Sequence, residues 1–130
     1  MKKWMVALLA VVVSAGVGQA YASTTTYKTR FVQFKLEKSS GKRTFTGQID
    51  SSSSSCLNKR TVKVIRKHNG DTQTLGKDST GSKGKFTISL SSDQVKDGSY
   101  YAKVASKKYD NGKKECGSAQ SGTIKVSSSS

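Results

Sequence analysis

Gly84-Lys85-Phe86-Thr87-Ile88-Ser89-Leu90-Ser91 sets Phe86, Ile88 and Leu90 at every second position with polar residues between them. Successive side chains of an extended strand point to opposite faces, so these three share one face and predict a half-buried strand. A helix would instead place its apolar residues three and four apart. The same period recurs in both directions along the chain. Upstream, Val62 and Val64 are expected to face inward, with Lys63, Ile65 and Lys67 on the other side; Phe45, Gly47 and Ile49 carry an earlier strand, and Val32, Phe34 and Leu36 alternate with Gln33, Lys35 and Glu37. Downstream, Tyr100, Ala102 and Val104 form an inward face, and Ile124 with Val126 the last one.

Turn signals separate these runs. Ser39-Ser40-Gly41, Asp97-Gly98 and Asp110-Asn111-Gly112 reverse the chain, and Asn69-Gly70 predicts a compact hairpin with both residues at positive φ. Asp71 to Leu75 is then expected to fold straight back on the preceding strand. Ser51 to Ser55 reads as a polar surface loop, Gly76 to Gly84 as a flexible one, and Ser92-Asp93 as one helical turn that buries Val95. About seven short strands and no helix long enough for a parallel crossover predict an all-β, two-sheet Greek-key sandwich of the immunoglobulin-like kind.

The 130 residues suffice for one domain. Residues 1–22 read as a secretory signal peptide: Lys2 and Lys3 are the charged start, Trp4 to Gly18 the apolar stretch, and Ala20-Tyr21-Ala22 the small-x-small cleavage signature. An uncleaved anchor fits less well, because the apolar run is short and interrupted by Ser14 and two glycines. The domain is expected over residues 23–126, followed by a serine tail over 127–130. No further apolar stretch is long enough to span a bilayer, which predicts a chain without a transmembrane anchor, secreted to the exterior or to a periplasm.

The formal net charge is +15, and cleavage would leave 21 basic against 8 acidic residues. Such an excess favours polyanions, and it also keeps an exported protein dispersed. Beyond the signal only Arg30, Arg43, Arg60 and Arg66 are arginines. Lysine lacks their bidentate fork, which points to loose rather than geometrically specific anion contacts. The two cysteines, Cys56 and Cys116, are expected to pair in an oxidising compartment. With the strands lettered A to G, they fall in the B–C and F–G connections, at one end of such a sandwich.

The order of features resembles the transthyretin-like, or carboxypeptidase regulatory-like, class of secreted β-sandwich domains (prealbumin-like sandwiches). The match lies in Phe45-Thr46-Gly47, Cys56 followed by Arg60-Thr61-Val62-Lys63-Val64, Gly84-Lys85-Phe86, Gly98-Ser99-Tyr100-Tyr101-Ala102-Lys103-Val104, and Cys116 before Ser121, spanning Phe31 to Val126. These are strand and turn signatures, and the resemblance implies a non-enzymatic accessory or binding module.

Catalytic chemistry finds little to stand on. His68 is the sole histidine, which excludes a two-histidine acid–base pair, a three-histidine zinc site and a Cys2His2 finger. No Gly-x-Ser-x-Gly elbow supports a small secreted hydrolase among the many serines. Asp50, Asp71, Asp78, Asp93, Asp97 and Asp110 fall near turns, where Asp is favoured for backbone bonding. Asp78-Ser79-Thr80-Gly81 offers oxygens but no converging carboxylates for calcium, so no metal or cofactor is expected.

The remaining candidate is a surface. If the valines, Tyr100 and Ala102 point inward, Lys63, Lys67, Tyr101, Lys103, Lys107 and Lys125 point out, and strands C, F and G would gather them on one sheet face. That face could dock an acidic polysaccharide, an envelope phosphate polymer or extracellular nucleic acid. The alternatives are a solubilising lysine surface that also blocks edge aggregation, and a structural role in which an exposed strand or the cysteine end contacts another surface protein.

Overall fold

The computed structural model describes residues 24–127. The expected signal peptide, its cleavage point before Ser23, and residues 128–130 of the serine tail lie outside the described residues. The period of two runs through the described chain as strand β1 (Thr25–Tyr27), β2 (Thr29–Ser39), β3 (Lys42–Ser51), β4 (Thr61–His68), β5 (Asp71–Ser79), β6 (Lys85–Ser91), β7 (Gly98–Val104), β8 (Lys107–Tyr109), β9 (Lys114–Cys116), β10 (Ala119–Gln120) and β11 (Ile124–Val126). The three-residue 3-10 turn Ser92–Gln94 sits where one helical turn is expected, and Val95 after it is buried.

One sheet has the order β2-β3-β6. The other has the order β10-β7-β4-β5, with β11 also pairing with β7. A third, small sheet runs β1-β9-β8, with β1 parallel to β9. The chain changes sheets between β3 and β4, returns with β6 beside β3, and changes again with β7 beside β4, which makes a Greek-key sandwich. The six readable runs of alternation and the hairpin return after Asn69-Gly70 each become a strand. The count is eleven rather than about seven because β1, β8, β9 and β10 are two or three residues long, too short to display a period.

Between the two larger sheets lie Phe45, Ile49, Val62, Val64, Tyr100, Ala102 and Val104, none more than 1 % exposed, with Phe86, Ile88, Leu90 and Val95 around them. Each full burial of such a side chain is worth about 1.5–3 kcal/mol. The Phe45 ring stacks on Phe34 at 5.6 Å and on Tyr100 at 5.5 Å, joining the sheets through their middle. Gly47 makes room for this packing: a Cβ there would lie 2.5 Å from Cζ of Phe86.

Two expectations for the strands are corrected. Val32 does not share a face with Phe34 and Leu36 but is 48 % exposed, because a bulge between Phe31 and Gln33 resets the parity and turns Phe31 inward. The segment 76–84 is not all loop: β5 continues through Ser79, held against β4, after a bulge that lets Leu75 reach the core. Asn69 and Gly70 adopt φ of 55° and 85°, and β5 folds back on β4 as the hairpin signal predicts.

Cys56 closes the turn Ser54–Cys56 between β3 and β4, and Cys116 ends β9, between β7 and β10. They form a disulfide with Cα atoms 5.4 Å apart, and both are fully buried. Closing a loop of that length contributes about 4 kcal/mol on the chain-entropy model.

Arg60, 1 % exposed, fills the space beside the disulfide. Its Nη1 donates to Thr29 Oγ1 (3.1 Å) and the Cys56 carbonyl (2.8 Å), and its Nη2 to the carbonyls of Ala105 and Gly117 (both 2.8 Å). One guanidinium thus ties together four segments that the disulfide alone would leave loosely joined. Its burial disfavours the charged form and pulls its pKa below the ordinary value.

Candidate functional site

The outer face of the β10-β7-β4-β5 sheet is set by residues whose neighbours are locked inward. On β4, Val62 and Val64 are fully buried, so Lys63, Ile65 and Lys67 point away from the core. On β7, Tyr100, Ala102 and Val104 are fully buried, so Ser99, Tyr101 and Lys103 point the same way. Register then decides which of these outward side chains stand side by side.

Lys63 lies directly opposite Lys103 on one side and Lys77 on the other, and Gln120 lies opposite Lys103. The result is a row, Lys77-Lys63-Lys103-Gln120, with neighbouring strands about 4.8 Å apart. A second row follows from Lys67 opposite both Thr72 and Ser99, and Ser99 opposite Lys125. Between the rows stand Thr74, Ile65 and Tyr101, the last two half-buried. The rows are four residues apart along β4, about 13 Å. Two basic rails therefore run across the strands with an apolar and aromatic strip between them.

The outward positions of these paired strands hold five lysines and no carboxylate. The ion pairs among the described residues, Arg30–Asp50 (3.2 Å) and Lys35–Glu37 (3.6 Å), lie on β2 and β3 of the other sheet. Like charges directly opposite each other on a sheet are destabilising, so the Lys77-Lys63-Lys103 row carries a stability cost. Edge protection accounts for lysines on outer strands, where Lys77 and Lys125 lie. It does not account for Lys63 and Lys103, because β4 and β7 are interior strands.

Sequence parity therefore brings together Lys63, Lys67, Tyr101, Lys103 and Lys125, and it misplaces Lys107. The chain leaves the sheet after Val104, and Lys107 belongs to β8 in the small sheet, where it pairs with Cys116 and its Nζ donates to the Lys59 carbonyl at 3.4 Å. Lys77 is the member that sequence reading missed; the signal that hides it is the glycine-flanked stretch 76–84, which looks like a loop. His68 is exposed beside the Asn69-Gly70 turn.

The second row borders an open hollow of about 600 Å³ that Ser99 helps to line. Lys67, Thr72, Tyr101, Gln120 and Lys125 line it, with Gly70 on its rim. Gly70, Thr72 and Ser99 bring little bulk to it, and Lys67, Tyr101, Gln120 and Lys125 bring long side chains.

No family model matches the chain, and no curated protein matches it. A β-glucosidase of known structure from Kluyveromyces marxianus overlaps 78 % of this chain at 16 % identity, with a TM-score of 0.39. The overlap spans 14 % of that enzyme's length, and at that TM-score the likeness bears on neither fold nor function.

Proposed function

We propose that this protein is a secreted, non-catalytic binding module whose lysine-bearing sheet face holds an anionic polymer of the cell envelope or the extracellular matrix. The signal-like N-terminus and the disulfide support export, and the transthyretin-like resemblance points to an accessory role. The observation that carries the reading is the Lys77-Lys63-Lys103 row, an uncompensated line of charge that crosses two interior strands. Its stability cost has a return only if a polyanion supplies the missing counter-charge.

The test is salt-gradient elution from a heparin resin, comparing the exported protein with a variant carrying Lys63→Gln, Lys103→Gln and Lys125→Gln. Elution of the variant at markedly lower salt is the expected result, with the slope of log affinity against log salt reduced by about 3, one for each lost contact. Unchanged elution would remove the face from consideration.

One observation favours a second reading, a protein-interaction module: β2 is an eleven-residue strand at the edge of its sheet, with Val32 exposed. The bulge at Val32 and the charges of Arg30, Lys35, Glu37 and Lys38 blunt that edge against strand pairing. Binding that ignores salt would favour this reading over the first.

A further inference from the structure

Resting on the polyanion reading, we infer that the hollow at Ser99 is a subsite for an acidic sugar, one hexose ring bearing a carboxylate or sulfate group. Lys67 and Lys125 stand one strand to either side of Ser99, about 10 Å apart at their Cα atoms. That spacing leaves room for a ring between the two stems and puts a charge on it within the reach of both lysine side chains. Tyr101 lines the hollow and is half-buried, offering it an aromatic ring.

Thr72, Ser99 and Gln120 add two hydroxyls and an amide to the same hollow. That set matches a sugar group by group: an aromatic wall for the C–H face of the ring, hydroxyl and amide partners for its hydroxyls, and two cations for its acid. A phosphate chain would use the cations and leave the other groups idle. Single-stranded nucleic acid stacks successive bases on successive aromatic side chains, and Tyr101 is the one aromatic in the strip between the two rows. No arginine lines the hollow to fork onto phosphate or base edges.

Length complements the chemistry. The first lysine row lies about 13 Å further along the strands, so a chain anchored in the hollow passes Ile65 and delivers a later acidic group to Lys63 and Lys103. A linear acidic polysaccharide can meet both rows at once, whereas a single acidic sugar can occupy only the hollow.

The test is calorimetric titration at fixed ionic strength with hexagalacturonate, neutral maltohexaose, inorganic polyphosphate and a single-stranded oligonucleotide of similar charge. Hexagalacturonate is expected to bind most tightly and maltohexaose not measurably. Tyr101→Ala and Ser99→Leu, the second of which fills the hollow, should each weaken hexagalacturonate about tenfold, the size of one aromatic stacking contact, while polyphosphate changes less than about twofold. Tyr101→Phe keeps the ring and should bind as the wild type, and thermal melting of each variant separates a lost site from a lost fold. Unchanged hexagalacturonate affinity in both disruptive variants overturns the subsite while leaving the lysine face intact, and tighter oligonucleotide binding overturns it in favour of nucleic acid. A wild-type protein that ignores every anionic probe overturns the broader reading instead.

Discussion

The two outer faces of the sandwich obey the same polarity rule and solve it differently. On the β2-β3-β6 sheet, the outward rows are Gln33-Gln48-Lys85, Lys35-Thr46-Thr87 and Glu37-Thr44-Ser89. Two of the cations there have acid partners: Lys35 meets Glu37, and Arg30 meets Asp50 on the adjoining strand. On the β10-β7-β4-β5 sheet the same architecture carries Lys77-Lys63-Lys103 and Lys67-Ser99-Lys125, with no acid among them. Hydroxyls, amides and interspersed charges of both signs already make the first sheet's face polar. The second sheet's charge therefore exceeds what solubility asks of it, and the excess is what a ligand can use.

The sharpest way to break this contrast is to remove equal charge from each face. Changing Lys63, Lys103 and Lys125 to Gln should lower affinity for an anionic polymer about 100-fold at low salt, if each contact is worth about 1 kcal/mol. Changing Lys35, Lys42 and Lys85 to Gln removes the same net charge from the opposite face and should leave affinity nearly unchanged. Equal losses in the two triples, read by retention or calorimetry, would mean that net charge alone drives binding and that the rows are incidental.

A smaller effect concerns stability rather than binding. Lys63→Glu would turn two like-charge contacts into two opposite-charge ones, with Lys77 and with Lys103. It should stabilise the fold by about 0.5–1 kcal/mol, seen as a higher denaturant midpoint at low salt. Glu37→Lys on the other face breaks an exposed pair and should cost a few tenths of a kcal/mol. Raising the salt should stabilise the wild type slightly and erase most of the Lys63→Glu gain, because both effects are screened.

What was legible in the sequence follows the same division. Parity could be read wherever a strand had one face in the core: Val62 and Val64 fixed Lys63 and Lys67, and Tyr100 and Ala102 fixed Tyr101 and Lys103. The assumption failed where a strand was interrupted. The bulge beside Val32 resets the alternation because Phe31 and Phe34, three residues apart, both reach the core. Past Val104 the chain changes sheets, and Lys107 leaves with it. Lys77 hid behind Gly76, whose role is packing: it sits under Ile88, where a Cβ would come within 2.9 Å of its Cγ2. Arg60 could be quoted as part of a strand signature, but nothing local marks an arginine for burial. Its partners are the oxygens of Thr29, Cys56, Ala105 and Gly117, brought together only by the finished fold.

A last expected effect, read as a change in slope with pH, lies between the two faces. Tyr100 is on the inward side of β7, directly beneath the lysine rows, stacked on Phe45 of the opposite sheet, and its hydroxyl donates to the Lys96 carbonyl. Burial raises its pKa, Asp97 adds to the rise, and Arg66 and the Lys96 hydrogen bond oppose it without cancelling it. A phenol with a folded pKa above its unfolded value near 10 holds its proton longer in the native state. Its contribution to stability is then fully present below about pH 10 and declines as pH rises through the folded value, because the unfolded chain releases the proton first. Tyr100→Phe gives up the hydrogen bond to Lys96, costing about 1 kcal/mol at neutral pH, but it cannot ionise. The melting temperature of the wild type should therefore fall more steeply than that of Tyr100→Phe above pH 10, narrowing the gap between them. Parallel curves would mean that the centre of the sandwich admits solvent to the hydroxyl, and the contrast between a dry interior and a charged outer face would have to be redrawn at that strand.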